Sequence, residues 1–137
     1  MSKNILVKLM LILIGIIIFS LGCGNKEEPV PEKIQAAHIL LMYIGSAQAP
    51  DEVTRTKEEA YSEIQKLLER VKAGEDFAEM AQQYSNCPSS KDGGDLGEFG
   101  KGSMVKPFED AAFNLKKGEI SGIVETQYGY HIIKRLN

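Results

Sequence analysis

The sequence predicts an α+β domain in which a small, mostly antiparallel sheet of four strands is covered by about four helices. An apolar run at residues 34–43 has the composition of a buried strand, and apolar residues at three- and four-residue spacing indicate helices within residues 56–84. Two alternating runs near the C terminus flank a tight turn, which is typical of a hairpin. Because strands and helices do not alternate regularly, the order favours α+β over a parallel α/β fold.

The first strand is predicted at residues 34–43. The consecutive apolar residues Ile39-Leu40-Leu41 suit a strand that is buried on both faces, and His38 lies within the same run. Residues 44–53 contain Gly, Ser and Pro, so they are predicted to form a loop.

Two helices are predicted between residues 54 and 86. Thr54 or Thr56 can cap the first helix, and Glu59 stands three residues after Thr56, as a capping box requires. Gly74 ends this helix, and its apolar face consists of Ala60, Ile64, Leu67, Leu68 and Val71. Asp76 can cap the second helix, whose apolar residues are Phe77, Met80, Ala81 and Tyr84.

The glycine-rich segment at residues 86–106 is predicted to be mostly loop, with a short strand at residues 96–99. Pro107 suits the first turn of a further helix that runs to Leu115. The two lysines and the glycine that follow are typical of a helix end, since positive charge is favourable there.

The last two strands are predicted at residues 120–126 and 130–136. Apolar and polar residues alternate in both runs, and Gln127-Tyr128-Gly129 is short enough to join them as a tight hairpin. The sheet is therefore expected to contain four strands.

The N-terminal residues 1–22 have the layout of a secretory signal peptide. Lys3 and Lys8 precede an uninterrupted apolar run from Leu9 to Phe19, which is shorter than the roughly 20 residues that a membrane-spanning helix needs. The following Gly22-Cys23 resembles the cleavage box of bacterial lipoproteins, although Ser20 stands where an aliphatic residue is usual. The resemblance implies a lipid anchor on Cys23, whereas an ordinary signal cut would leave a free thiol.

Residues 23–33 are predicted to be a flexible tether, because they are polar and contain two prolines. Without residues 1–22, 14 basic and 19 acidic residues remain, so the formal net charge is −5. An acidic domain of this kind has no electrostatic basis for binding nucleic acid. We expect an exported protein that is anchored at a membrane and acts as a monomer without a cofactor.

Several motifs occur in an order that packing alone does not require. Ala37-His38-Ile39-Leu40-Leu41 is followed by Cys87, by Gly93-Gly94-Asp95-Leu96-Gly97-Glu98-Phe99, by a proline-containing segment at residues 106–113, and by Gly129-Tyr130-His131-Ile132-Ile133. In this order, residues 34–137 resemble the parvulin family of peptidyl-prolyl cis/trans isomerases. The resemblance implies the parvulin fold and rotation of the peptide bond that precedes proline.

The resemblance also implies the site residues. It makes two histidines the central pair, with a threonine hydroxyl in support and a cysteine beside the rotating bond; the implied catalytic residues are His38, Cys87, Thr126 and His131. An apolar pocket would receive the proline ring, and Tyr128 occupies a position where the family often has serine or another small polar residue. The implied substrate-binding residues are Leu96, Met104, Phe108 and Tyr128.

Other interpretations of these residues remain open at this stage. A cysteine near two histidines is also a known arrangement for a nucleophile, but the sequence contains no further signature of a cysteine hydrolase. His38, Cys87 and His131 could serve as metal ligands, but their separations lack the close pairs of a structural zinc site, so no metal is predicted. Taken singly, each histidine and each apolar pocket residue could have a purely structural role.

The expected substrates are unfolded or exported polypeptides that contain proline. X-Pro isomerisation without a catalyst takes tens to hundreds of seconds, so it delays folding outside the cytoplasm. The alternative is a binding or chaperone module that captures such segments and catalyses little. The loop at residues 43–53 contains Asp51 and Glu52 and no basic residue, so no preference for phosphorylated substrates is predicted.

Overall fold

The computed structural model describes residues 29–137. Its elements are β1 (Lys33–Leu41), α1 (Lys57–Lys72), α2 (Phe77–Tyr84), a 3-10 helix (Pro88–Asp92), β2 (Asp95–Gly100), α3 (Lys106–Asn114), β3 (Val124–Thr126) and β4 (Gly129–Arg135). The predicted signal peptide at residues 1–22, the predicted lipidation site Cys23 and the first part of the tether lie outside the described residues. Within residues 29–137, no helix combines the length and the apolar composition needed to cross a membrane.

The sheet contains four antiparallel strands in the order β2-β1-β4-β3, so the predicted α+β class is confirmed. The two central strands pair with His38 opposite Ile133 and with Leu40 opposite His131. Since alternate residues of a strand share a face, this register places both histidines diagonally on one face of the sheet.

The helices α1 and α2 cover one face of the sheet. Their apolar residues enclose alternate residues of the central strands, including Ile39, Leu41 and Ile132, whose side chains are inaccessible to water. Burying an aliphatic side chain of this size contributes roughly 1.5–3 kcal/mol. This cluster is the larger of the two cores and holds the central strands in place.

The helix α3 covers the opposite face with a smaller core. Phe108 and Ala112 of this helix pack against Ile34, Phe99 and Ile133 of the sheet. This face is also the one on which His38 and His131 lie. The candidate site therefore lies beside α3. The core formed by α1 and α2 lies on the opposite face of the same sheet.

The predicted helix starts are confirmed. Thr56 caps α1 with both halves of a capping box: its Oγ1 accepts the Glu59 N–H at 3.2 Å, and the Glu59 carboxylate accepts the Thr56 N–H at 2.7 Å. Asp76 caps α2 by accepting the Glu79 N–H at 2.9 Å. These caps stabilise each helix by about 1 kcal/mol.

Two elements differ from the prediction. The strand expected at residues 120–126 is shorter in the structure, where β3 contains only Val124–Thr126. Before β3, the Ile133 N–H donates to Ser121 Oγ at 2.9 Å, so a side-chain oxygen takes the place of a backbone acceptor. Only an isolated bridge at Ile120 precedes β3. The segment predicted as loop contains the 3-10 helix, which Pro88 begins. Within residues 29–137, three α-helices accompany the sheet, rather than the expected number of about four.

Candidate active site

The site is built around direct contact between two histidines. The Nδ1 atoms of His38 and His131 lie 3.1 Å apart, and the two rings are stacked with 5.3 Å between their centroids. Both side chains are buried, with 5% and 4% of their surface exposed. One Nδ1 must carry the hydrogen and the other must accept it, so this geometry fits two neutral imidazoles.

The Thr126 hydroxyl is the hydrogen-bond partner of the second ring nitrogen of His131, Nε2. Its Oγ1 lies 2.7 Å from His131 Nε2 and accepts the Tyr128 N–H at 3.1 Å. The short turn between β3 and β4 makes this possible, because Thr126 pairs with Gly129 across the hairpin. Both ring nitrogens of His131 therefore have partners, whereas the buried Nε2 of His38 has none among the described residues.

The surroundings keep both histidines neutral at pH 7. Burial lowers the pKa of His38 to about 4. Burial, followed by repulsion from His38, lowers the pKa of His131 to about 3. The low dielectric of the site disfavours the charged ring, and a second positive charge at hydrogen-bond distance would be worse. The pair can thus donate and accept hydrogen bonds without carrying a charge.

Phe108 of α3 packs its ring against both imidazoles. The centroid distances are 5.5 Å to His38 and 5.4 Å to His131, with interplanar angles of 85° and 74°. Phe108 is itself 3% exposed. Edge-to-face packing of this kind fixes the orientation of the rings and excludes water from them.

A cavity of about 280 Å³ opens beside the histidine pair. It is lined by seven residues that the sequence analysis singled out: His38, Cys87, Leu96, Met104, Phe108, Tyr128 and His131. The eighth, Thr126, lies behind His131 and supports it through the hydrogen bond described above. The apolar residues of α3 and its preceding loop form one wall, and an apolar lining of this kind is typical of ligand-binding pockets.

The cavity also contains residues that the sequence analysis did not assign to a site: Leu40, Met42, Gln48, Pro88, Ser103 and Val105. Gln48 is the most informative of them because its φ is +62°, a left-handed conformation that is uncommon for residues other than glycine. Non-glycine residues in this conformation are frequent at functional sites. No local sequence signal predicts it, since Gln48 is one of several polar or small residues in a loop.

Cys87 lines the cavity as a half-buried free thiol. The two histidines bond each other through Nδ1, and His131 Nε2 bonds Thr126, so neither nitrogen of His131 is left for a thiolate. The remaining ring nitrogen, Nε2 of His38, has no hydrogen-bond partner among the described residues, so the ordered cysteine–histidine pair of a cysteine hydrolase is not formed. Among residues 29–137, no group of three His, Cys, Asp or Glu side chains is arranged to hold a metal ion.

Comparison with known sequences identifies the family of this chain. The family model described as a PPIC-type PPIASE domain matches residues 21–137. The chain belongs to the PPIC-type peptidyl-prolyl isomerase family. Its activity is therefore cis/trans isomerisation of peptidyl-prolyl bonds, and its fold is that of the parvulins.

Relatives of this PPIC-type isomerase differ in length. A Digitalis lanata protein named peptidyl-prolyl cis-trans isomerase Pin1 is 45% identical over 113 residues, covering 76% of this chain and 96% of the relative. The Neurospora crassa isomerase ssp-1 is 48% identical, but the match covers only 60% of its length. The foldase protein PrsA of Geobacillus sp. is 50% identical over 74% of this chain and 31% of its own.

Solved structures have the same fold as this PPIC-type isomerase. The peptidyl-prolyl isomerase ESS1 from Candida albicans superposes with a TM-score of 0.75 at 41% identity, over 77% of this chain and 63% of the other. NmPin, the parvulin of Nitrosopumilus maritimus, superposes with a TM-score of 0.57 at 40% identity, over 78% of this chain and 98% of the other. The matched region makes up almost the whole of the NmPin chain.

Proposed function

We propose that this isomerase accelerates rotation about X-Pro bonds in unfolded, exported polypeptides while a lipid on Cys23 holds it at a membrane surface. The observation that carries the catalytic part is the neutral pair of His38 and His131 at the floor of an apolar cavity. The proline ring would enter between Leu96, Met104 and Phe108.

The chemistry requires no covalent intermediate. Rotation of an X-Pro bond must overcome about 18–20 kcal/mol of amide resonance, and no bond to a heavy atom breaks. A catalyst therefore needs to bind the twisted amide more tightly than either planar form. A dry apolar cavity favours the twisted amide, because the planar form carries more separated charge and loses more on leaving water.

In this proposal, Cys87 and the histidine pair surround the rotating carbonyl group. The thiol offers a weakly polar surface beside the bond, and the histidine pair supplies hydrogen-bonding atoms without a full charge. Thr126 keeps His131 in one orientation, so the surroundings of the amide do not have to reorganise during rotation. Tyr128 closes the rim of the cavity.

Residues 29–137 provide the direct test, because the matched region alone makes up nearly all of NmPin. Exchange spectroscopy of a panel of X-Pro peptides should show faster cis/trans exchange with the parent domain and a clear loss with His131→Ala. Cys87→Ala should reduce exchange less. Peptides that bind the parent without any change in exchange would instead favour a binding module, and Tyr128→Ala would then test whether the rim residue is the cause.

Export and lipidation rest on the first 23 residues. Lys3 and Lys8, the apolar run that follows and Gly22-Cys23 support them, and the similarity to a protein named a foldase supports a role in folding. Expression of the full chain in a bacterium should give a mature protein whose mass includes a diacylglycerol and which sediments with membranes. Cys23→Ala should abolish both properties; an unchanged mass and location in that variant would contradict the anchor.

A further inference from the structure

The side of β1 that pairs with β2 lacks a strand partner where it borders the cavity. Pairing between β1 and β2 ends at Ala37 and Asp95, and one more bond joins the His38 N–H to the Gly94 carbonyl at 2.9 Å. Beyond that point, the edge groups of Leu40 and Met42 face no strand. Unsatisfied backbone groups at a buried edge are costly, so their partners are informative.

Four bonds from outside the sheet satisfy this edge. The Leu40 N–H donates to Ser85 Oγ at 3.0 Å, and the Leu40 carbonyl accepts the Asn86 N–H at 2.7 Å. The Met42 N–H donates to Asn86 Oδ1 at 2.9 Å, and the Met42 carbonyl accepts Arg55 Nη1 at 3.3 Å. Three side chains and one backbone group thus replace the missing strand.

Arg55 joins the two segments that meet at this edge. Its Nη1 also donates to Asn86 Oδ1 at 2.8 Å, while its backbone carbonyl accepts the Ile44 N–H at 3.0 Å. Its Nε lies 3.2 Å from a carboxylate oxygen of Glu63 on α1, which fixes the guanidinium from the other side. The loop after β1 and the segment before the 3-10 helix are therefore tied through one side chain.

The tied segments form two walls of the cavity. Met42 and Gln48 contribute from the loop after β1, and Cys87 and Pro88 contribute from the segment that follows Asn86. Cys87 is directly bonded to Asn86, and its own N–H donates to Ser85 Oγ at 3.3 Å. Any shift of Asn86 along the edge of β1 must therefore move the thiol relative to Met42.

We propose that Arg55 and Asn86 are positioning residues that fix Cys87 and Met42 at the separation that the isomerase needs. Neither residue lines the cavity, so both act through others. The inference rests on the proposed function for its effect on catalysis. Its geometric part, the placement of the Cys87 thiol, is independent of activity.

The test uses residues 29–137, in which Cys87 is the single cysteine. Asn86→Leu removes the acceptor of two hydrogen bonds and keeps the number and branching of the side-chain heavy atoms, and Arg55→Met removes the shared donor. Each should lower kcat/KM for an X-Pro peptide by about tenfold and change the rate of Cys87 alkylation by iodoacetamide several-fold. Asn86→Asp keeps both acceptor bonds through a carboxylate oxygen, so it should stay within about twofold of the parent in both measurements.

Matched controls separate positioning from general loss of stability. Arg70→Met removes an arginine of α1 whose partners are Glu75 and Tyr84, and Gln83→Leu changes an exposed residue of α2. Both should leave kcat/KM and alkylation unchanged even if their melting temperatures fall.

The outcomes are distinguishable. A folded Asn86→Leu variant with the parent's alkylation rate and kcat/KM would overturn the positioning role, and Arg55→Met decides the matter in the same way if Asn86→Leu does not fold. An inactive parent domain would refute the proposed function, while the alkylation rates would still report whether Arg55 and Asn86 place the thiol.

Discussion

The Nδ1 atoms of His38 and His131 lie 3.1 Å apart although the two residues are separated by 93 positions in the chain. Two identical nitrogens at this distance can share one hydrogen, but they cannot both carry one. Protonation of the accepting Nδ1 therefore breaks the contact, and protonation of either ring places a charge in a buried site. This relationship connects the stability of the fold to pH.

Stability should rise as the pH increases from about 4 to 6.5. Folding lowers the pKa of His38 to about 4 and that of His131 to about 3, below the ordinary value of 6.5. Between these values the unfolded chain binds more protons than the folded one, so acid favours unfolding, whereas above 6.5 the histidine contribution is complete. Urea unfolding should show a free energy about 4 kcal/mol lower at pH 5 than at pH 7.

The chain contains only two histidines, which makes the attribution direct. NMR titration of their ring protons should show neither one protonated at pH 5.5 in the folded domain. Equal unfolding free energies at pH 5 and pH 7, or a ring that titrates near 6.5, would contradict the buried neutral pair.

Replacing Thr126 by Val should impair catalysis and stability together. Valine has nearly the same shape but cannot bond His131 Nε2 or accept the Tyr128 N–H, and it leaves buried polar atoms without partners. The free energy of unfolding should fall by about 1–3 kcal/mol. The value of kcat/KM should fall by about tenfold, because His131 loses its fixed orientation.

Thr126→Ser is the matched control, since it keeps the hydroxyl and removes only a methyl group. It should recover most of kcat/KM. If Thr126→Val and Thr126→Ser were equally active, the hydroxyl would have no part in orienting His131.

Gly94→Ala should destabilise the domain by at least about 2 kcal/mol. Gly94 has a φ of +83°, and an added Cβ would overlap the backbone carbonyl oxygen of His38. The clash would push on the strand at the position of a central histidine. Gly122→Ala is the control, because a Cβ there meets nothing within 4 Å, and it should change stability by less than about 0.5 kcal/mol. Thermal unfolding of both variants measures the difference.

Local sequence signals predicted the elements whose cause is local. Thr56 with Glu59 and Asp76 set the starts of α1 and α2 through bonds that span three residues, so the sequence alone was enough. The shortened β3 was missed because its cause is the bond from the Ile133 N–H to Ser121 Oγ, a contact between elements rather than a property of either run.

The candidate site likewise contains residues that the sequence predicts and residues that only contacts between elements bring together. The resemblance to the parvulins named eight residues, and the structure brings seven of them to one cavity with Thr126 behind. Gln48 and the Arg55–Asn86 contact were missed because they depend on how two loops meet at an unpaired edge. No composition or periodicity in residues 44–53 carries that information.

Phosphorylation of the residue before proline should give no gain in catalysis. The cavity is lined by no Lys or Arg among the described residues, and Gln48 occupies the loop wall. Arg55, the first cation after the loop at residues 43–53, directs Nη1 at the Met42 carbonyl and Asn86, and its Nε at Glu63. A phosphate would therefore enter without a bidentate partner and would lose hydration, so kcat/KM should be equal to or lower than that for the unmodified peptide.

Exchange spectroscopy with matched Ser-Pro, Glu-Pro and phosphoserine-Pro peptides measures this effect of phosphorylation on kcat/KM directly. A tenfold gain with phosphoserine alone would mean that a lysine or arginine reaches the cavity when substrate binds, and Arg55→Met would then identify whether Arg55 is that residue.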